Sequence, residues 1–348
     1  MAITIRVSYT LRVLYLLVFC ALSAFNAGAQ ASHPLSTPNA PDQGKRYNPF
    51  PSLYFIEPTS IPALEQWGHL ALALPEIEAA AQGWAVPSWE PSILLNNDIL
   101  AFYGHPLSAR MGILGRYSIQ EADRLLSALA DEYRAANGGR GVIKAFHIIY
   151  GTVWPEGEIG ILKESTLLDY IQYALERDIL VFIDHQIGRY DPVSALRRML
   201  PYLAYPNVHL ALDPEWRTTR PMREIGTISA EEINEAQRVM EAYLIEQDIP
   251  GERLLLIHQF NWRMISSRER VLSTFERVRL IHCADGFGSP AIKRESYLYN
   301  AQAANMPIKG FKLFYRNASM PEAGYDYPLL TPQEVYELNP RPYLIMYQ

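Results

Sequence analysis

Cysteine is nearly absent from this sequence. The 348 residues include two cysteines, Cys20 and Cys283, and Cys20 lies in an N-terminal segment with the features of an export signal. At most one cysteine therefore remains after processing, which excludes an intramolecular disulfide and a zinc site made of several cysteines. The fold has to be stabilised by a hydrophobic core, for which the 49% of hydrophobic residues are sufficient.

Basic charge is also scarce. The chain has 31 lysines and arginines against 37 aspartates and glutamates, a formal net charge of −6. Loss of Arg6 and Arg12 with an export signal leaves 29 basic residues and a net charge of −8. Proteins that bind nucleic acid through counterion release need a basic surface, so this balance argues against a nucleic-acid partner.

Several short catalytic motifs are missing. The sequence contains no G-x-S-x-G, no G-x-x-x-x-G-K and no H-E-x-x-H. These absences argue against a serine nucleophile on a strand-to-helix turn, a phosphate-binding loop and a metalloprotease helix.

The N-terminus has the organisation of an export signal. Arg6 and Arg12 precede an apolar run from Val13 to Phe25, and residues 27–29 provide the small side chains of a signal-peptidase site. The run is too short for the ~20 residues that span a bilayer as a helix. We therefore predict a signal peptide over residues 1–29 and a secreted or periplasmic protein with no stable membrane anchor once the signal is removed.

Two segments separate the signal from the main domain. Residues 30–60 contain several Pro, Ser and Asn residues and show no periodic sequence pattern. This composition predicts a flexible lead-in to the domain. Residues 61–98 predict an N-terminal helical extension. Residues 99–348 then form the predicted catalytic domain.

The main domain repeats a short apolar run followed by a polar loop and an amphipathic segment. Eight such runs begin 24 to 46 residues apart, the length that a strand, a crossover helix and two loops require. The runs are Ile99–Tyr103, Val142–Tyr150, Ile179–Ile183, Val208–Leu212, Leu254–Ile257, Val278–Ile281, Ile308–Tyr315 and Tyr343–Tyr347.

Helix-start signals fall between these runs, with Ser or Thr followed three residues later by Glu, as in Ser118, Ser229 and Thr331. Near-continuous apolar strands are typical of a parallel sheet covered on both faces. The sequence therefore predicts an α/β fold, a (β/α)8 TIM-type barrel with an N-terminal extension. The alternative is an open doubly wound sheet, but its G-x-G-x-x-G turn after the first strand is missing.

Polar side chains concentrate inside and just after the apolar runs, where a barrel of this kind builds its active site. Five of the eight histidines, His105, His147, His185, His258 and His282, lie at the predicted strand ends. We predict that substrate is bound by residues from this set: His105, His147, Tyr150, Trp154, His185, Gln186, Trp216, Gln259, Asn261, His282, Asp285, Lys312 and Tyr315.

The sharpest motif is Asp213-Pro214-Glu215 at the end of the fourth run. Residues two apart on a strand face the same side, so both carboxyl groups can face the barrel mouth. Two close acids cannot both ionise easily, which raises one pKa as a general acid requires. We predict Glu215 as the acid, Asp213 or Asp184 as base or charge stabiliser, and His258 as a further catalytic residue that hydrogen-bonds the substrate.

At this motif the sequence resembles glycoside hydrolases built on the same barrel, in which an Asp-x-Glu pair ends strand four, as in the chitinase family and the lysozyme-like muramidases. The resemblance covers Leu212 to Trp216 and the barrel plan. It implies an enzyme that hydrolyses an extracellular polysaccharide or cell-envelope glycan without a cofactor or metal. Glu215 would then protonate the glycosidic oxygen.

The sequence departs from both patterns. Two further Asp residues of the chitinase motif are missing, since Val208 to Ala211 stand there, and His105 replaces the Asp that a muramidase has after strand one. Lys312 ends run seven, which excludes the common arrangement with a second Glu on that strand.

Two other functions remain open. A metal-dependent hydrolase could take its ligands from the five strand-end histidines together with Asp184, Asp213 and Asp285. A noncatalytic protein could present the same cleft to a carbohydrate. The spaced arginines Arg217 and Arg220, with Arg223, indicate either an anionic substrate or a solvated loop.

Overall fold

The structure of the protein is a computed structural model that describes residues 92–221 and 223–348. The predicted signal peptide, the lead-in and residues 61–91 of the predicted extension lie outside the described residues.

Eight parallel strands form a closed barrel. Each strand pairs with its sequence neighbours, and the first strand pairs with both the second and the last, which closes the sheet. The strands are β1 (Asn97–Gly104), β2 (Gly141–Val153), β3 (Leu180–Gln186), β4 (Val208–Asp213), β5 (Arg253–Gln259), β6 (Val278–Ala284), β7 (Ile308–Leu313) and β8 (Leu344–Tyr347). Every strand overlaps one predicted run, so the predicted barrel is confirmed.

Helices cover the outside of the barrel. They are α1 (Ile119–Ala136), α2 (Glu164–Leu175), α3 (Pro192–Met199), α4 (Ala230–Glu246), α5 (Pro290–Ala301) and α6 (Pro332–Tyr336). Ser118, Ser229 and Thr331 each accept a backbone N–H at the start of their helix, as their spacing predicts. Within the described ranges the connection from β5 to β6 contains no α-helix, only two 3-10 turns and a two-residue strand, which departs from the predicted eightfold alternation.

Apolar side chains fill two layers. One cluster joins the strands to the helices and includes Leu126 and Leu167 from α1 and α2. The other draws almost entirely on strand residues that alternate with the first set, such as Ile99, Leu180 and Leu254, and this cluster fills the barrel interior. Both faces of each strand are therefore buried.

Small additions modify the mouth of the barrel. A short antiparallel strand, Ile159–Ile161, pairs with the end of β2, and the two-residue strands Ile228–Ser229 and Ile265–Ser266 pair with each other. The register between β2 and β3 shifts between Ile149 and Gly151. None of the helices in the described part of the chain is both long and apolar enough to cross a membrane.

Candidate functional site

The inward-facing positions of the strands change from apolar to polar toward their carboxyl ends. Ile99 and Ala101 precede Tyr103 on β1, and Leu180 and Phe182 precede Asp184 on β3, in steps of two residues. The same steps lead to inward-facing His147, Asp213, His258 and Lys312. The upper interior of the barrel is therefore a buried polar chamber.

A chain of charged contacts runs through this chamber. Asp184 Oδ2 lies 3.0 Å from His147 Nε2 and 3.2 Å from His258 Nε2. The other nitrogen of His258, Nδ1, lies 2.5 Å from Asp285 Oδ2, which is also 3.7 Å from Lys312 Nζ. Four groups from different strands or strand ends are thus linked to His258 directly or through a shared carboxylate.

Burial and these contacts determine the protonation states. Burial lowers the pKa of His147 to about 4, so this ring is neutral at pH 7. Burial also disfavours charge on His258, but the carboxylates of Asp285 and Asp184 outweigh it and raise the pKa of His258 to about 10. Burial acts against ionisation of Asp184 and Asp285 too, yet the adjacent His258 lowers the pKa of both.

The predicted acid pair lies at the end of β4, next to this network. Asp213 Oδ1 accepts the backbone N–H of Glu215 at 3.1 Å, which fixes the short 3-10 turn Pro214–Trp216. Burial raises the pKa of Asp213 to about 7, and the Asp184 carboxylate acts in the same direction. Burial, followed by the charge of Asp213, raises the pKa of Glu215 well above its ordinary value. The direction matches the prediction, although burial contributes more than the neighbouring acid.

The structure thus brings the four predicted catalytic residues, Asp184, Asp213, Glu215 and His258, to one end of the barrel interior. Of the predicted binding residues, His147, Asp285 and Lys312 belong to the same chamber. Trp216 is buried directly after the acid pair, and its role in substrate binding stays a prediction.

A second group of predicted binding residues faces away from the interior. His282 Nε2 lies 2.7 Å from Gln259 Oε1, and Lys309 Nζ lies 3.4 Å from His282 Nδ1. Lys309 also donates to carbonyl oxygens of Asn300 and Ala303 at the end of α5. This outer network lies between the barrel and α5, so a role of Gln259 or His282 in substrate binding stays a prediction.

Two more predicted residues, Tyr150 and His185, also point outward. Their rings meet edge to face at 6.2 Å, and Tyr150 belongs to the layer between strands and helices. Gln186 holds the β2 end, because its Oε1 accepts the backbone N–H of Val153 at 2.8 Å.

The remaining predicted residues lie in loops after the strands. Half-buried Trp154 contacts the short strand at Gly160, and Asn261 caps a 3-10 turn by accepting the N–H of Arg263. Half-buried His105 accepts the N–H of Leu107, and Tyr315 stacks on a tyrosine of β8 with ring centroids 5.1 Å apart.

The spaced arginines are largely engaged within their own loop. Arg217 donates to both carboxylate oxygens of Glu232 and to a backbone carbonyl, and Arg220 pairs with Glu224. These pairs favour the interpretation of a structural loop over that of an anion-binding site.

Sequence reasoning missed Tyr103 and Lys309. The Tyr103 ring lies 3.6 Å below Lys312 Nζ and 5.1 Å from the ring of His147, so it forms a wall of the chamber. The sequence feature that could have identified Tyr103 is its position two residues after Ala101, which places both side chains on the inward face of β1. For Lys309, the sequence feature is a lysine placed within an otherwise apolar strand.

Two sets of side chains could hold a metal ion in the described ranges. His147, Asp184 and His258 form the first set, and His258, Cys283 and Asp285 form the second; in each set the possible ligand atoms lie within 4.8 Å of one another. The two sets share His258.

No protein-family model and no curated protein matches the chain. Among solved structures, a family 18 chitinase from Crocus vernus aligns at 10% sequence identity over 72% of this chain and 92% of that chain, with a TM-score of 0.38. The barrel architecture rests on the strand pairings described above, and at these values the likeness does not bear on activity.

Proposed function

We propose that this protein is a glycoside hydrolase that acts on an extracellular or cell-envelope polysaccharide. The observation that carries the proposal is the acid pair at the end of β4, where burial raises the pKa of Asp213 to about 7 and the pKa of Glu215 further above its ordinary value. A carboxylic acid that keeps its proton at neutral pH is what cleavage of a glycosidic bond needs.

The two acids take different roles because they titrate as a pair. We assign the carboxylate role to Asp213, whose pKa burial raises to about 7, and the proton to Glu215, whose pKa is raised by burial and by the charge of Asp213. Glu215 then donates to the glycosidic oxygen as the bond to the sugar carbon breaks, and the Asp213 carboxylate stabilises the positive charge that develops on the ring. Water then adds to the sugar carbon and gives its proton to the Glu215 carboxylate, which restores the acid.

Exposed aromatic rings support a carbohydrate substrate. Tyr117, Tyr190, Trp262 and Tyr327 are each more than 40% exposed, and they follow β1, β3, β5 and β7, so all four lie in loops at the mouth of the barrel. A cavity of about 600 Å³ beside the last of these is lined by further tyrosines. Flat apolar faces with polar edges suit sugar rings. The predicted export signal is consistent with a substrate outside the cytoplasm.

Hydrolysis of a panel of chitin, peptidoglycan and uronic acid polymers tests the proposal. Glu215→Gln and Asp213→Asn are compared with Glu224→Gln, which changes a half-buried acid of the same loop that pairs with Arg220. We expect turnover to fall about 10²–10⁴-fold in Glu215→Gln and to persist in the control. Binding of a glycan without any turnover by the unmodified protein would instead identify a noncatalytic carbohydrate-binding protein.

A further inference from the structure

Three donor atoms meet at the centre of the chamber from three different strands. Asp184 Oδ2 is 3.0 Å from His147 Nε2 and 3.2 Å from His258 Nε2. With bonds of about 2.0–2.2 Å, ligand atoms around one metal ion lie about 3 Å apart in an octahedral site and about 3.3–3.5 Å apart in a tetrahedral site. The two distances match the edges of such a coordination polyhedron.

The orientation of these groups points to a missing ligand. His258 Nε2 lies within reach of Asp184, yet it forms no hydrogen bond with any described residue, and Asp184 Oδ1 also has no partner there. Both side chains are at most 1% exposed. An unsatisfied buried nitrogen or carboxylate oxygen costs about 1–3 kcal/mol or more, so two of them side by side call for an occupant.

The surroundings of His258 have the arrangement that metal-ligating histidines use. Asp285 holds the Nδ1 side of the ring at 2.5 Å, and Lys312 lies near the same carboxylate oxygen. A hydrogen bond from Nδ1–H to a carboxylate orients a histidine and increases the basicity of its Nε2. Nε2 therefore faces the site formed with His147 and Asp184.

We propose that His147, Asp184 and His258 bind one divalent transition-metal ion of the zinc class, with Asp285 as the residue that positions His258. Two imidazoles and one carboxylate favour such an ion over Mg²⁺ or Ca²⁺, which prefer oxygen ligands alone. The set with Cys283 is disfavoured because His258 Nδ1 and Asp285 Oδ2 lie only 2.5 Å apart, closer than two ligand atoms of one ion.

The proposal goes beyond glycoside hydrolysis and does not depend on it. Its test uses the metal content of the protein alone, so an inactive protein can still confirm the metal site, and an active one can still refute it.

The experiment begins with the full secreted chain, stripped by a chelator and equilibrated with Zn²⁺ or Co²⁺. We expect about one tightly bound ion per chain, with loss of binding in His147→Ala and a 10–100-fold weaker affinity in Asp285→Asn. His105→Ala removes a histidine outside the set and should bind as the unmodified protein does. No bound ion in the unmodified protein, or equal binding in all folded variants, would overturn the proposal.

X-ray absorption of the Zn²⁺ form gives a second measurement that needs no variant, in case the buried substitutions prevent folding. Two imidazole ligands and one carboxylate in the zinc coordination shell support the site. A shell without imidazole refutes it.

Discussion

Two buried polar networks lie on opposite sides of the same barrel wall, and they differ in how completely they are satisfied. In the outer network, each of the side chains of Gln259, His282, Asn300 and Lys309 forms at least one hydrogen bond, and none of their atoms is among the buried unpartnered atoms of the described residues. In the inner network, one atom is unpartnered on each of four residues among those described, namely His147, Asp184, His258 and Asp285.

We infer from this difference that the outer network is structural and that the inner network serves a function. A buried network that satisfies itself fixes α5 against the barrel and needs nothing more. A buried network that leaves donors and acceptors open retains them for a substrate, a proton or a metal. Residue type alone does not make the distinction, because both networks contain histidine and lysine.

The largest expected effect is on catalysis and comes from a substitution beside the inner network. Glu215→Gln removes the proton donor while preserving shape, so kcat should fall about 10²–10⁴-fold with little change in the melting temperature. Steady-state kinetics on a verified glycan substrate and a thermal melt measure both quantities. A kcat equal to that of the unmodified enzyme would show that Glu215 is not the acid.

The second effect is on stability and comes from a substitution in the outer network. Lys309→Met leaves the carbonyl groups of Asn300 and Ala303 without their buried donor, so the free energy of unfolding should fall by about 2–4 kcal/mol. Urea denaturation measures this change. If the variant also lost kcat at a temperature where it is folded, the division between the two networks would be wrong.

A third prediction concerns the pH dependence of activity. Because burial raises the pKa of Asp213 to about 7, the ionised form needed for catalysis is depleted below this pH. We expect kcat/KM to rise about tenfold per pH unit on the acid side and to level off above about pH 7. An acid limb near pH 4 would contradict the raised pKa.

The smallest effect is on stability. A carboxyl whose pKa is raised on folding binds more protons in the native state than in the unfolded state, so stability decreases as pH rises from about 4 to about 7. For Asp213 this contribution should amount to about 1 kcal/mol between pH 5 and pH 6. Urea denaturation at several pH values, for Asp213→Asn and for the unmodified protein, isolates this contribution. The free energy of unfolding of the variant should fall less steeply with pH than that of the unmodified protein. Identical slopes would assign Asp213 an ordinary pKa.

Much of the fold could be predicted from the sequence. The eight apolar runs and the capping residues Ser229 and Thr331 act through local chemistry, and local chemistry is readable along the chain. The position of the polar chamber could be predicted because a barrel of this kind builds its active site at the carboxyl ends of its strands. The acid pair was predicted from the alternation of side chains along one strand, but β4 ends at Asp213, and Glu215 lies in the 3-10 turn that follows it.

Only the tertiary structure decided which polar residues face each other. In a closed barrel both faces of a strand are buried, so the hydrophobic pattern does not reveal which face is inward. Asp184 and His185 are adjacent and equally polar, yet one enters the chamber and the other packs against Tyr150 on the outside. The sequence by itself determined the eight strands and their polar ends, because these depend on neighbouring residues. Closure of the barrel selected His147, Asp184 and His258 from all the candidates, because it sets distances between strands that the order of residues does not contain.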